Sequence, residues 1–543
     1  GNPDSLKRPG MRESIRAFSH VRALLSGDVP GRGREKDASI DGVPLRTYLF
    51  TYREKTASGG RFFPGKAVIT LRPPKAFHRL LPIVPGRGGG FVRLTVHSAC
   101  VSRRLPRTRA ACGREEPAER SDSICPEGES MSSAYNKEIF HQYSMSTVME
   151  EAQRCLLCYD APCSRACPAE TDPARFIRSV RFRNLKGAAE TITENNALGA
   201  VCARVCPTEH YCQKGCTRSG IDRPIDIGGI QRFVTDFQRK TGMKVLRAGK
   251  PNGRRVAIVG SGPSGLEAAA RLLQTGYSVT VFEEKKKPGG YLRYGIPEYR
   301  LPASVVDEEI RTLEELGCVF RCGVKIGGDS GVTMDSLKKE YDAVLVAVGY
   351  SVAKTLPLFK DNPYAETAVD FLARVKETGS LGGKTPDHVV VIGGGDVAMD
   401  VSTTLKKLGV PHVTDVVYEE FSEFLASKAE LEGARELGVT IIDGYVPVSA
   451  EGGSLVFRHR RIDGELRLKA DKVILAVGQL PDLSGLGPEL KPGQKDFPDC
   501  RTDDPKVFLT GDIVAGDKTV VWAVKRGKEA ARVIHESLEG RNR

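Results

Sequence analysis

At 543 residues, with 40% apolar and 27% charged side chains, the chain exceeds what one hydrophobic core supports and reads as a soluble protein of two to four domains. Its formal charge of +13 does not argue for nucleic acid once it is located: residues 1–130 hold 24 Lys and Arg against 13 Asp and Glu, leaving 57 against 55 elsewhere. No apolar run reaches the roughly 18 residues needed to span a bilayer and no signal-peptide order is present, so neither a nucleic-acid nor a membrane partner is expected, and a cytoplasmic location is.

Residues 1–130 are rich in Arg, Gly and Pro, without a sustained helix or strand period, and are expected to be a disordered or non-native extension. Met131 reads as the natural start of the folded chain, since 13 acidic residues are too many for a transit peptide. From Tyr143 helices dominate. Asp172 is placed to cap a helix that opens on Pro173 and carries Phe176, Ile177 and Val180 on one face.

Eight of the 14 cysteines fall within this helical region, as Cys155-x2-Cys158-x4-Cys163-x3-Cys167 and Cys202-x3-Cys206-x5-Cys212-x3-Cys216. Thiolates two to five residues apart converge on one small inorganic core, and Cys167-Pro168 and Cys206-Pro207 repeat the ending of ferredoxin-type ligand runs. Eight sulfurs suit two four-iron clusters. Zinc held by four thiolates is the rival, making the chain a zinc-stapled scaffold without turnover; a disulfide framework suits short secreted chains instead.

Val256–Val259 reads as a buried strand, Ser264–Gln274 as a helix and Ser278–Phe282 as a second strand. Gly260-Ser-Gly262-Pro-Ser-Gly265 joins the first two and Glu283 follows the third, so backbone amides meet a pyrophosphate and a carboxylate meets a ribose hydroxyl. With Pro288-Gly289-Gly290 and the late Gly511-Asp512, this points to FAD. The pattern returns at Val389–Ile392, Asp396–Leu408 and Val413–Tyr418, with Gly393-Gly394-Gly395-Asp396-Val397-Ala398 at the turn and Glu419-Glu420 after the second strand. Carboxylates there accept from a free 2'-hydroxyl and repel a 2'-phosphate, so NADH is expected over NADPH.

Later buried strands are expected at Asp471–Val477 and Lys506–Leu509. The fold class is therefore α/β: a helical two-cluster iron–sulfur domain (131–250), then an FAD-binding domain (251–365 and 479–543) with an NAD-binding domain (366–478) nested inside it. Flavin between a two-electron hydride donor and one-electron clusters makes a two-to-one electron converter. No redox cysteine pair stands near either nucleotide, His412 and His459 stand alone, and no catalytic acid or base is assigned.

Arg154-Cys-Leu-Leu-Cys-Tyr-Asp-Ala-Pro-Cys163, Glu194-Asn-Asn-Ala-Leu-Gly-Ala-Val-Cys-Ala-Arg-Val-Cys-Pro207, Pro224-Ile-Asp-Ile-Gly-Gly-Ile-Gln231, Gly395-Asp-Val-Ala-Met-Asp400 and Gly511-Asp-Ile-Val-Ala-Gly-Asp-Lys-Thr519 together carry a family resemblance. Residues 143–540 resemble the glutamate synthase small-subunit type of FAD and iron–sulfur oxidoreductase, and most closely the flavoprotein subunit of bacterial NAD-dependent dihydropyrimidine dehydrogenase. The resemblance implies Cys155, Cys158, Cys163 and Cys216 on one [4Fe-4S] cluster and Cys167, Cys206, Cys212 and Gln231 on the other, leaving Cys202 spare. It places FAD on Glu283, Gly290 and Arg300 and near Gly511, and the nicotinamide nucleotide on Gly394 to Val397, Glu419, Glu420 and Ala476, Val477 and Gly478. Tyr418-Glu-Glu420 stands where the glutamate synthase branch has Tyr-Arg-Arg. No stretch resembles an FMN barrel, so uracil or thymine reduction implies a separate FMN-containing partner subunit; a glutamate synthase small subunit is the alternative.

Overall fold

The computed structural model describes residues 46–55, 62–71 and 95–96, and residues 131–540 apart from 425, 488–489 and 491–495. The chain divides into two units, Gly1–Arg120 and Ser121–Arg543. In the first, β1 (Arg46–Lys55) pairs antiparallel with β2 (Phe62–Leu71), Arg46 opposite Leu71, and β3 (Thr95–Val96) joins the other edge of β1. Little packed structure is expected over residues 1–130, and these three strands are the part of that segment the structure describes. Arg46–Lys55 is a run of Thr, Tyr, Leu and Phe that favours a pleated surface, and the Arg, Gly and Pro content of the whole segment hid it. The rest of that expectation lies outside the described residues.

The second unit opens with helices Met145–Gln153, Pro173–Arg181, Leu185–Asn195, Gly199–Val205 and Ile227–Thr241. Ser144 and Thr147 form a reciprocal capping box on the first. Asp172 caps the second as its sequence position requires, its side chain accepting from the Arg175 N–H, and Phe176, Ile177 and Val180 are buried. These three pack with Val148, Ile192, Ile230 and Val234 in one apolar core. Glu151, buried in it, holds Arg154 at 2.6 Å and Arg223 at 2.8 Å, drawing the loop before Ile227 onto the helix that leads to Cys155.

Two parallel sheets follow. The first comprises β4 (Arg255–Val259), β5 (Ser278–Glu283), β6 (Val319–Cys322), β7 (Ala343–Val346) and, from the far end of the chain, β18 (Val507–Leu509), in the order β18-β7-β4-β5-β6. After β8 (Val352–Ala353) the chain enters the second sheet: β9 (Ala365–Thr367), β10 (His388–Ile392), β11 (His412–Val416) and β12 (Thr440–Ile442). An antiparallel meander of β13 (Tyr445–Glu451), β14 (Ser454–His459) and β15 (Glu465–Lys469) precedes β16 (Lys472–Leu475). The second sheet runs β12-β11-β10-β16-β9. The chain returns through β17 (Gln479–Leu480), which pairs antiparallel with β8, so entry and exit lie side by side.

Both inner strands, β4 and β10, are buried along four of their five residues, as parallel strands covered on both faces must be. Burying a residue such as Ile258 stabilises the fold by about 1.5–3 kcal/mol. The two βαβ starts and the two later strands lie where periodicity placed them. Among the described residues no helix is long and apolar enough to cross a membrane.

Candidate functional site

A continuous groove of about 1780 Å³ runs across the carboxyl ends of both parallel sheets. Single small-molecule pockets span about 300–1,000 Å³, so this one has room for two extended ligands. At one end, β4 turns through Gly260, Ser261 and Gly262 into the helix Pro263–Gln274. At the other, β10 turns through Gly393, Gly394 and Gly395 into the helix Asp396–Lys407. No side chain caps either helix start, which leaves first-turn N–H groups for an anion.

The backbone here excludes side chains. Gly260 has φ +103° and a Cβ on it would lie 2.5 Å from the Ala347 carbonyl oxygen; a Cβ on Gly290, φ +51°, would lie 2.7 Å from Gly262 Cα. A Cβ on Gly262 or Gly395 would instead enter open groove. Such a cradle suits a pyrophosphate at each turn.

Of the residues singled out in sequence, Gly260, Gly262, Glu283, Gly290, Gly394, Gly395, Asp396, Val397, Glu419, Ala476, Val477, Gly478, Gly511 and Asp512 all line this groove. Three do not. Gly265 sits behind the turn, where a Cβ would lie 2.3 Å from the Gly260 carbonyl oxygen, so it serves close helix–strand packing. Arg300 is buried between the two nucleotide-binding parts, both oxygens of Asp400 at 2.7 Å and Glu430 at 2.9 Å. Glu420 pairs with Arg461 at 2.8 Å. An arginine or a charge pair next to a motif is visible in sequence; which partner it takes is set by tertiary packing.

Glu283 accepts from the Ser261 N–H at 3.0 Å, from the Ser261 hydroxyl and from the Lys285 N–H at 2.8 Å, binding the glycine turn to the end of β5. Glu419 lies over the second turn: a Cβ on Gly394 would meet its Oε2 at 2.7 Å. Asp396 is turned aside, accepting from the Ser427 N–H at 2.7 Å. Burial raises the Asp512 carboxyl to about 6, with Lys518 opposing.

Cys155, Cys158, Cys163 and Cys216 line one small cavity in the helical region. Burial, with Cys216 and Cys155 adding to it, raises the Cys163 thiol to about 11. A second group is formed by Cys167, Cys202, Cys206 and Cys212. Burial lifts the Cys206 thiol well above its ordinary value, and Cys202, Cys212 and Cys167 add to the rise. Gln231 is buried, its amide nitrogen donating at 2.8 Å to the carbonyl of Gly199, which opens the helix that ends at Cys206, and its amide oxygen is left as the end available to a ligand.

Thiols crowded in this way favour the protonated form until a metal takes the protons' place. Four thiolates on zinc, at about 2.3 Å each, would stand about 3.8 Å apart. Among the described residues no three cysteine sulfurs come within 4.8 Å of one another. Each group offers four cysteines or three cysteines and an amide, the number of protein ligands that a [4Fe-4S] core takes at its corners.

Sequence reading missed the residues that fasten the second cysteine group to the FAD-binding part. Glu267 accepts from the Ala197 N–H at 2.9 Å, and Glu309 from Ala200 and Val201 at 2.8 and 3.3 Å, on the segment that leads to Cys202 and Cys206. Lys528 donates to the Ala169 carbonyl, two residues past Cys167. Tyr211, next to Cys212, reaches Asp517 at 2.9 Å and Thr519 at 3.4 Å, and Thr519 lines the groove. The acidic pair had a signal, buried positions on helices Pro263–Gln274 and Ala303–Glu315, but no motif.

Residues 132–243 match the family described as dihydropyrimidine dehydrogenase domain II, 4Fe-4S cluster, and residues 254–530 match pyridine nucleotide-disulphide oxidoreductase. The chain is similar to the NAD-dependent dihydropyrimidine dehydrogenase subunit PreT of Escherichia coli (strain K12), 54% identical over 409 residues that make up 75% of this chain and 98% of that protein. The subunit of the same name from Salmonella typhimurium is 52% identical over 408 residues, 75% of this chain and 98% of its own. The glutamate synthase NADPH small chain of Escherichia coli (strain K12) is 30% identical over 446 residues, 74% of this chain and 94% of its own.

Proposed function

We propose, from the premise that the chain belongs to the family of NAD-dependent dihydropyrimidine dehydrogenase subunits with 4Fe-4S and pyridine nucleotide oxidoreductase domains, that it is the electron-input subunit of such an enzyme. It oxidises NADH and serves a partner subunit, carrying FMN, that reduces uracil or thymine. When bound, FAD takes a hydride as an electron pair, and two [4Fe-4S] clusters carry electrons singly.

The protein's own residues bind and separate these groups. Gly260, Gly262 and Gly290 cradle the FAD pyrophosphate, with Gly265 holding the turn, Glu283 fixing it, and Gly511 and Asp512 at the far side. Gly394, Gly395 and Val397 receive the NAD pyrophosphate, Glu419 accepts from the adenosine ribose, and Ala476, Val477 and Gly478 border the nicotinamide end. Asp396 and Arg300 act at one remove, through Ser427 and Asp400. Cys155, Cys158, Cys163 and Cys216 hold one cluster, and Cys167, Cys206, Cys212 and Gln231 the other.

The observation that carries this reading is the order of parts: groove, Tyr211 bridge, second cysteine group, first cysteine group. Cys212 is raised by burial and then by Cys167 and Cys163, one from each group, so the groups adjoin. Anaerobic co-purification with neighbouring gene products tests it. A captured FMN protein that forms dihydrouracil from uracil and NADH is expected; a glutamine amidotransferase partner, or protein without iron and acid-labile sulfide, would overturn it.

A further inference from the structure

Just outside the corner of the groove that Tyr418 and Glu419 line beyond β11 stand two arginines that the local sequence does not supply. In a nucleotide fold this corner tells NADH from NADPH, a carboxylate accepting from the free 2'-hydroxyl and an arginine receiving the 2'-phosphate. The chain after β11 offers Tyr418, Glu419 and Glu420. Arg460 and Arg461 arrive from the turn between β14 and β15.

That turn is fastened to the strand end by backbone. Gly444 N–H donates to the Glu419 carbonyl at 3.1 Å, and Arg460 N–H to the Gly444 carbonyl at 2.8 Å. His459 Nδ1 accepts from the Arg461 and Ile462 N–H groups at 3.1 and 3.2 Å, shaping the tip. The Arg460 guanidinium lies over the Tyr418 ring, 3.9 Å from its centroid, and donates to the Tyr418 carbonyl at 3.1 Å. Arg461 is engaged by Glu420 at 2.8 Å and Glu423 at 2.9 Å, and Glu423 also reaches Arg460 at 3.4 Å.

We propose that Glu420 and Glu423 are specificity-determining residues that work by occupation: they hold Arg460 and Arg461 away from a 2'-phosphate that the same arginines would otherwise bind. The proposal rests on reading the second glycine turn as the NAD site. Guanidinium forks match carboxylate and phosphate alike, so whichever anion is fixed in place excludes the other. Discrimination then has two parts, attraction of the free hydroxyl by Glu419 and denial of a cation to the phosphate by Glu420 and Glu423, the repulsive element that specificity often needs. Glu419, Glu420 and Glu423 outnumber Arg460 and Arg461, so no uncompensated cation faces a 2'-phosphate, and Arg461, half exposed, can swing toward a ligand once released.

Binding to the anaerobic, fully loaded protein by calorimetry tests this, with 5'-AMP and adenosine 2',5'-bisphosphate as probes that differ only in the 2'-phosphate. The Glu420→Gln/Glu423→Gln variant is expected to bind the bisphosphate about tenfold more tightly than wild type, with 5'-AMP changed less than about twofold. Adding Arg461→Ala to that variant reverses the gain, whereas Arg461→Ala alone leaves the bisphosphate where it was. Equal affinities in wild type and the double variant, or a loss in Arg461→Ala alone, would overturn the proposal. If the double variant does not fold, Glu423→Gln alone, at an exposed position, is expected to show a smaller gain of the same sign, and no gain would overturn it. Wild-type protein that binds neither 5'-AMP nor NADH would instead refute the reading of the site itself.

Discussion

The two cysteine groups use the same side chains at similar spacings, yet their surroundings are opposite. The group of Cys155, Cys158, Cys163 and Cys216 is built by local loops, and around it Leu156, Tyr159 and Ile221 stand exposed, Tyr159 completely. The group of Cys167, Cys206 and Cys212, with Cys202, packs against the core of the FAD-binding part and is held by Glu267, Glu309, Lys528 and Tyr211 from or toward that part. A row of thiolate sites acquires direction in this way. The inner site is made by domain packing and faces the groove; the outer site is made by its own loops and faces out.

Cys206→Ser and Cys158→Ser break that direction most severely. Each is expected to lose about half the iron, one of two clusters. In Cys158→Ser the remaining iron still turns reduced when NADH is added anaerobically, whereas in Cys206→Ser it stays oxidised although the yellow flavin bleaches. Low-temperature electron paramagnetic resonance reads both; equal reduction of the remaining iron in the two variants would show the sites are not in series. Gln231→Ala and Cys202→Ser sharpen the inner site: the first is expected to change its signal and the second to leave it, while the opposite result would make Cys202 the ligand.

Much of this was legible from the residues, for a reason that differs by element. The glycine turns announce themselves because their backbone approaches, such as Gly290 on Gly262, admit no other residue. The cysteines announce a metal site by their short spacing, but which four meet does not follow from it: Cys216 joins a group whose nearest member in sequence, Cys163, is 53 positions away, and Cys167 joins one whose Cys206 is 39 away. That Arg300 and Glu420 lie outside the groove lining was not legible, because their partners, Asp400 and Arg461, are 100 and 41 positions away and no local pattern selects them. The pairing of β1 with β2 was missed because a ten-residue run was averaged into a segment of different composition.

A smaller effect is expected at the outer surface. Fully exposed Tyr159 and exposed Leu156 flank Cys158, and an aromatic side chain buried at the centre of an interface contributes about 2 kcal/mol or more. Tyr159→Ala with Leu156→Ala is therefore expected to weaken capture of the partner subunit by roughly tenfold to thirtyfold, while NADH reduces the iron within the chain as in wild type. Pull-down titration against the partner measures the first and anaerobic absorbance the second. Unchanged capture would move the exit for electrons to another face.

The mildest test concerns Glu309, where the inner site meets the FAD-binding part. Burial raises its carboxyl from the ordinary 4.5 to about 8; hydrogen bonds from the Ala200 and Val201 N–H groups pull it down, as does Arg204, and Glu267 pushes it up. A folded-state value above the unfolded one means the native state binds the extra proton. That contribution to stability is complete below about pH 4.5 and is lost as pH rises through about 8. Glu309→Gln keeps an acceptor for the two N–H groups and carries no charge at any pH, so it lacks the loss. The melting temperature of wild type is expected to fall relative to the variant by about 2–4 °C between about pH 6 and 9, and parallel curves would mean that Glu309 is ionised throughout. The Ala200 and Val201 N–H groups favour the ionised carboxylate, so the loss comes from burial and from Glu267: water drawn in to solvate the charge opens the packing at the start of the helix Gly199–Val205, which carries Cys202 and ends at Cys206, and this loosens the inner site and not the outer one. Iron released on raising the pH should therefore come from the site facing the groove, leaving the exposed group intact.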